Sequence, residues 1–194
     1  MTPKISTLLM TTMALALLGT MVGQAGAPQV RTTSPTDAAR VKRGEYLVGI
    51  MGCHDCHTPW IVGPNGPEAD MTRMLSGHPS QMALPPAPGP TGPWIGQVAA
   101  TNTAWAGPWG VSFTANLTPD KDTGLGEWTE EMFIATMRTG RHQGKGRQVL
   151  PPMPYFIIGA LTDPDIKDLF AYLQSLPPVH NRVPQPVEPT ETRQ

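Results

Sequence analysis

A small helical domain broken by one long irregular stretch is the fold that the sequence predicts, and three observations predict it. Capping residues and apolar spacing mark three helices, one before position 60 and two after position 127. Glycine and proline are dense, with 20 Gly and 23 Pro in 194 residues, and they concentrate between those helices. Aromatic residues are only 6% of the chain, so neither a large regular sheet nor a long helical bundle is expected. The length suits one domain, or two small ones.

Charge excludes some functions at once. The 14 Lys and Arg stand against 15 Asp and Glu, a net of −1, and they are scattered in ones and twos. That is no polybasic nucleic-acid binder, and no field to steer the chain to an anionic membrane.

In chain order, Lys4 precedes a mostly apolar run from Leu8 to Val22 that ends in Gln24-Ala25-Gly26-Ala27. This pattern is that of a signal peptide, so residues 1–27 are expected to be cleaved, leaving a mature domain at 28–194. A membrane anchor is the competing reading, but the run is interrupted by Thr11, Thr12, Gly19 and Thr20 and falls short of the roughly 20 apolar residues a span needs. No strong membrane association is expected after cleavage.

The first helix is expected from Ala38 to Met51, with Ser34-Pro35-Thr36-Asp37 as its capping segment. Gly44 and Gly49 are costly inside a helix unless something packs closely on the backbone there, and a crossing helix is the natural candidate.

The helix runs into Cys53-His54-Asp55-Cys56-His57, the chain's two cysteines at C-x-x-C-H spacing. Three chemistries compete for it. A thioredoxin-like redox pair wants this turn after a strand, whereas the preceding segment looks helical. A structural zinc site wants four ligands, and the chain has no second cysteine pair, only distant His78, His142 and His180. Covalent haem attachment uses this arrangement: two thiols add to the haem vinyl groups, and the next residue, His57, lies under the iron as its proximal ligand. Haem is the favoured reading, with one group per chain because no second C-x-x-C-H occurs.

From Pro59 to Pro119, 19 of 61 residues are Gly or Pro, and the stretch is read as an irregular excursion with at most short helical turns. It carries four of the five tryptophans, Trp60, Trp94, Trp105 and Trp109. Disordered linkers are poor in aromatics, so the excursion is expected to fold, either back over the domain or around a small core of its own.

Thr129-Glu130-Glu131 then caps a short helix through Met132, Phe133 and Met137, with Gly140 as its stop. Thr162-Asp163-Pro164-Asp165 caps the last helix, where Ile166, Leu169, Phe170, Leu173 and Leu176 form one apolar stripe. Five prolines between Pro177 and Gln194 make an extended tail.

A haem iron held by His57 needs an occupant on its other side, and that choice separates electron carriers from ligand-binding or catalytic haem proteins. Met51, Met132 and Met137 sit in helices where packing is the default, while Met71, Met74 and Met82 lie in the excursion. Met153 stands in Leu150-Pro151-Pro152-Met153-Pro154, where flanking prolines pre-set the backbone and lower the entropy lost on holding a thioether at one point. Met153 is favoured, with His78 and His142 as the main rivals.

Together these residues resemble a known family. RGEYLV at Arg43–Val48, GCHDCHTP at Gly52–Pro59, SFTANLTPDKDTGLGEWTEEMF at Ser112–Phe133, RTGRH at Arg138–His142, PPMPY at Pro151–Tyr155 and LTDPDIKDLFAYLQSLPPV at Leu161–Val179 are similar to the monohaem class I c-type cytochromes. The resemblance is in particular to the haem-c modules found as electron-accepting subunits of bacterial periplasmic alcohol, aldehyde and gluconate dehydrogenases. The resemblance implies an all-α fold, with crossing N- and C-terminal helices around one covalently bound haem c and the 59–119 insertion added. It implies Cys53 and Cys56 as thioether carriers, His57 and Met153 as axial ligands, and Gly44 or Gly49 as the close approach near Tyr172. It implies a periplasmic, non-catalytic one-electron carrier between a dehydrogenase subunit or respiratory donor and an acceptor such as a terminal oxidase. Near-neutral charge suggests docking through a small apolar patch at the haem edge. Arg138, Arg141, Trp128 and Asn116 are candidate donors to the haem propionates. The alternative is a five-coordinate haem protein that binds a small ligand or acts on peroxide. Relatives of this type often carry several modules, whereas this chain has one attachment motif.

Overall fold

Helix α1, Pro35–Ile50, starts the part of the chain that the computed structural model describes, residues 35–87 and 93–189. The expected signal peptide at 1–27 lies outside it. After α1 the chain turns through Met51 and a left-handed Gly52 (φ 66°) into the short α2, Cys53–His57. Helix α3 is Glu130–Thr139, α4 is Tyr155–Gly159 and α5 is Asp163–Ser175. Capping chemistry sets the bounds of α3 and α5. Thr129 accepts from the Met132 amide and Thr162 from the Asp165 amide, while Gly140 ends α3 in the left-handed conformation at φ 64°.

The fold is not the all-α one that the resemblance implied. Two antiparallel sheets stand beside the five helices, and both lie in the 59–119 stretch. Strands β1, Trp60–Gly63, and β2, Gly66–Ala69, form a hairpin closed by Gly63 opposite Gly66. Strands β3, Gln97–Val98, β4, Ala104–Gly107, and β5, Gly110–Phe113, form a three-stranded sheet in that order. The physical reason is that glycine and proline here punctuate rather than dissolve structure. Pro64-Asn65 and Pro108-Trp109 are two-residue loops, followed by Gly66 at φ 118° and Gly110 at φ 90°, a backbone state costly for any residue with a Cβ. Pairing then satisfies backbone groups that an irregular segment would leave to water.

The core sits between α1, α3 and α5, built from Leu47, Val48, Phe133, Ile166, Leu169 and Phe170 with their buried neighbours. The Phe133 and Phe170 rings pack with centroids 5.3 Å apart. Helix α1 crosses α5 at Gly44, where a Cβ would overlap the Asp168 carbonyl oxygen and lie 2.8 Å from Tyr172 Cβ; Gly49 meets nothing within 4 Å. Arg40 reinforces the crossing, donating to Glu130 at 2.5 Å, Asp168 at 3.0 Å and the Lys167 carbonyl at 3.1 Å.

The tail is extended but not loose. Val187 pairs with Val111 on β5, and the buried Asn181 side chain donates to the Ser76 and His78 carbonyls at 2.6 and 2.9 Å and accepts from the Ser80 amide at 2.9 Å. Among the described residues no helix is long and apolar enough to cross a membrane.

Candidate functional site

Cys53 and Cys56 are three apart on α2 and therefore share one face of it. Both thiols are free and half-buried, and Cys53 packs against the hydrophobic core. Burial pushes the Cys53 thiol up to about 11, with Asp55 adding to the rise, and burial raises Cys56 too. These are protonated thiols at neutral pH. A redox pair of the thioredoxin type needs the opposite, a thiolate stabilised by its surroundings. Among the described residues no three His, Cys, Asp or Glu side chains converge as a metal cluster.

His57 ends α2 and is buried. Its Nδ1 lies 2.8 Å from the Ala115 carbonyl oxygen. A carbonyl can only accept, so Nδ1 carries the proton and Nε2 keeps its lone pair for a ligand bond. Burial holds the ring below the ordinary histidine range, against the carbonyl, which favours the proton. A neutral, oriented imidazole with one free nitrogen is the form a metal takes.

The wall that holds this ring comes from two segments brought together by backbone bonds. Gly77 donates to the His57 carbonyl at 2.8 Å, His78 to the Thr114 carbonyl at 3.0 Å and Leu117 to the Leu75 carbonyl at 2.9 Å. Gly77 has φ 76°, and a Cβ on it would run into the Thr114 and Ala115 backbone, so only glycine lets the segments close. Fully buried Thr58 accepts from the Leu75 amide at 3.0 Å. The sequence reading missed this wall because a backbone carbonyl has no side-chain signature; Leu-Ser-Gly-His at 75–78 was its one local hint.

Met153 is half-buried and packs against the same core cluster that Cys53 touches. Its loop is fastened to the sheet: Ser112 on β5 donates to the Pro151 carbonyl at 2.6 Å, and Pro154 caps α4. Met71 and Met82 are exposed, whereas Met51 and Met74 also border the core. His78 is buried with both nitrogens engaged, Nδ1 with Thr103 Oγ1 at 2.9 Å and Nε2 with the Met82 carbonyl at 3.2 Å. His142 is exposed and meets Trp128 edge-on, centroids 4.9 Å apart.

Of the expected propionate donors, Asn116 gives its amide to the Val179 carbonyl at 2.8 Å, Arg138 pairs with Asp163 at 2.6 Å, and Trp128 packs against the core. Arg141 is exposed and reaches the Gly146 carbonyl at 3.3 Å.

Four buried side-chain atoms among the described residues lack a partner: Ser76 Oγ, Thr114 Oγ1, Trp105 Nε1 and Trp109 Nε1. Ser76 and Thr114 belong to the His57 wall. Trp105 and Trp109 line a shallow cavity of about 320 Å³ with Pro152, beside the Met153 loop. Orphaned buried donors are rare and point to a missing acceptor. Together with the free thiols and the prepared imidazole, they fit a large group with a polar edge.

No protein-family model matches the chain. Among curated proteins, it is 30% identical over 168 residues to the fructose dehydrogenase cytochrome subunit of Gluconobacter japonicus, covering 84% of this chain and 26% of that protein. It is 28% identical over 157 residues to the cytochrome c subunit of an alcohol dehydrogenase (quinone) of Gluconobacter oxydans, covering 81% and 25%. To the gluconate 2-dehydrogenase cytochrome c subunit of Pantoea cypripedii it is 30% identical over 134 residues, covering 69% and 22%. The chain thus spans about a quarter of the length of these relatives.

Proposed function

We propose, for a chain related across most of its length to the cytochrome c subunits of bacterial dehydrogenases, that it is a periplasmic one-electron carrier holding one haem c. The observation that carries this reading is the setting of His57: buried, directly after two free thiols, and held by the Ala115 carbonyl so that Nε2 is available. Cys53 and Cys56 would hold the haem through thioethers, and the His57 imidazole and the Met153 sulfur would bind its iron. When bound, the haem supplies the one-electron couple.

The chain's own residues do the rest. Ala115 keeps the imidazole in one tautomer and one orientation. The proline-flanked loop, tied down by Ser112, limits how far the Met153 thioether can move, so little rearrangement accompanies electron transfer. A thioether ligand favours the reduced state and raises the potential. Trp105 and Trp109, whose buried indole N–H groups lack partners, would donate to the acidic edge of the group. With His57 and Met153 both committed to the iron, the chain would leave no site for substrate and would act as a carrier rather than a catalyst. A dehydrogenase catalytic subunit fits as electron donor, and a terminal oxidase as acceptor.

The test is the visible and near-infrared spectrum of the haem-loaded protein, for wild type and Met153→Ala. The reading expects a weak sulfur-to-iron charge-transfer band in the ferric wild type, lost in the variant together with a gain of carbon monoxide binding in the ferrous state. A wild type that lacks the band and binds carbon monoxide when reduced has an open iron. The five-coordinate, ligand-binding alternative then replaces this one.

A further inference from the structure

The near-zero net charge hides a segregation. Between Met132 and Thr162 the chain has Arg138, Arg141, Lys145 and Arg147 and no Asp or Glu, so the remaining ten of its 14 cations face all 15 carboxylates elsewhere. Arg138 is neutralised by Asp163. No ion pair among the described residues holds Arg141, Lys145 or Arg147, and all three are exposed.

These cations sit on a rigid loop. Arg141 bridges to Gln148, His142 donates to the Arg147 carbonyl at 2.9 Å, and Val149 closes the base on the Gly140 carbonyl at 2.8 Å. The closed loop leads directly into the Met153 segment. The Tyr155 ring lies on Gly140, and Phe156 stacks edge-on against Tyr155 with centroids 5.9 Å apart. Phe156 is 66% and Ile157 50% exposed, and Pro151 and Pro152 are exposed beside them. An apolar centre with a cationic border is the anatomy of a transient protein interface.

We infer that the loop carrying Arg141, Lys145 and Arg147, together with the exposed Phe156 and Ile157 that Tyr155 joins to its base, is where an acidic redox partner protein docks. The inference rests on the electron-carrier reading with Met153 as ligand, which makes this the face nearest the exchanging electron. Fixed unpaired cations raise the encounter rate with an anionic surface and lose that effect as salt screens them. Three cations are fewer than the clusters of four to eight that hold a protein on an anionic membrane, which favours a protein partner.

The test uses the reduced, haem-loaded protein in stopped-flow oxidation by ferricyanide, by the cationic tris(phenanthroline)cobalt(III), and by a small acidic blue-copper protein, across ionic strength. The expected result is that the ferricyanide and blue-copper rates fall about tenfold from low to physiological salt while the cobalt rate rises, despite the net negative charge. The triple variant Arg141→Glu, Lys145→Glu, Arg147→Glu should invert all three trends. Ferricyanide and blue-copper rates that rise with salt in the wild type overturn the inference. So does a folded triple variant with unchanged salt dependence, or wild-type binding to anionic phosphatidylglycerol vesicles at physiological salt that this variant loses. If the triple variant does not fold, the opposite salt trends of the two small reagents with the wild type still decide. Failure to exchange electrons with any reagent at any salt concentration instead sinks the carrier reading itself.

Discussion

Gly44 sits where α1 crosses α5, and no residue with a Cβ fits between its backbone and the Asp168 carbonyl. Gly44→Ala should force the helices apart and cost about 1–3 kcal/mol of stability, the usual range for overpacking. Gly49 faces open space, so Gly49→Ala should be neutral or stabilising by up to about 1 kcal/mol, since alanine is the better helix former. Urea unfolding of the two variants checks both, and equal effects would refute the assignment. In the sequence the two glycines look alike, because helical spacing does not say which face another helix meets. The distal candidates behave similarly. Met153 and His78 both read as plausible ligands, but only the folded chain reveals that Thr103 and Met82 already engage the two His78 nitrogens.

Among the elements, α3 and α5 were legible because their signals are local: Thr129 and Thr162 accept from amides a few residues on, and the stripe of α5 is periodic. Thr162→Ala should cost about 1 kcal/mol in thermal unfolding, the ordinary value of a cap. Helix α4 escaped notice because five residues are too few to show a period. The sheets were misread for another reason. Turn residues dominate their composition, and the tail's pairing partner is remote, as with Val111 and Val187. Asn181 shows what the tail contributes. Asn181→Ala leaves the Ser76 and His78 carbonyls and the Ser80 amide unpartnered, and a loss of about 2–3 kcal/mol is expected. Limited proteolysis should then cut the tail before the core, whereas co-unfolding of tail and core would show the tail to be part of one cooperative unit.

For the whole molecule, stability should fall in two stages on acidification. Buried His78 is held below the ordinary histidine range, chiefly by desolvation, so the unfolded chain takes up its proton first and stability declines below about pH 6.5. Asp120, held down by its bond from Thr123 with help from His180, and Asp165, held down by Thr162 and Arg43, contribute stability above the ordinary carboxylate range. That contribution is lost as pH falls below about 4 and through their lowered values. Melting temperatures across this range should show both stages, with Asp120→Asn flattening the second; a profile unchanged by that substitution would remove Asp120 from the account. By itself the sequence determined the capped helices and the kinship with dehydrogenase cytochrome subunits, and it singled out Cys53, Cys56 and His57 as the candidate site, because these are written in neighbouring residues. The tertiary structure decided which glycine meets α5, which carbonyl orients His57, and that the tail pairs with β5. Each of those joins groups far apart in the chain, Gly44 with Asp168, His57 with Ala115 and Val111 with Val187, and only burial and hydrogen-bond satisfaction in the folded state bring them together.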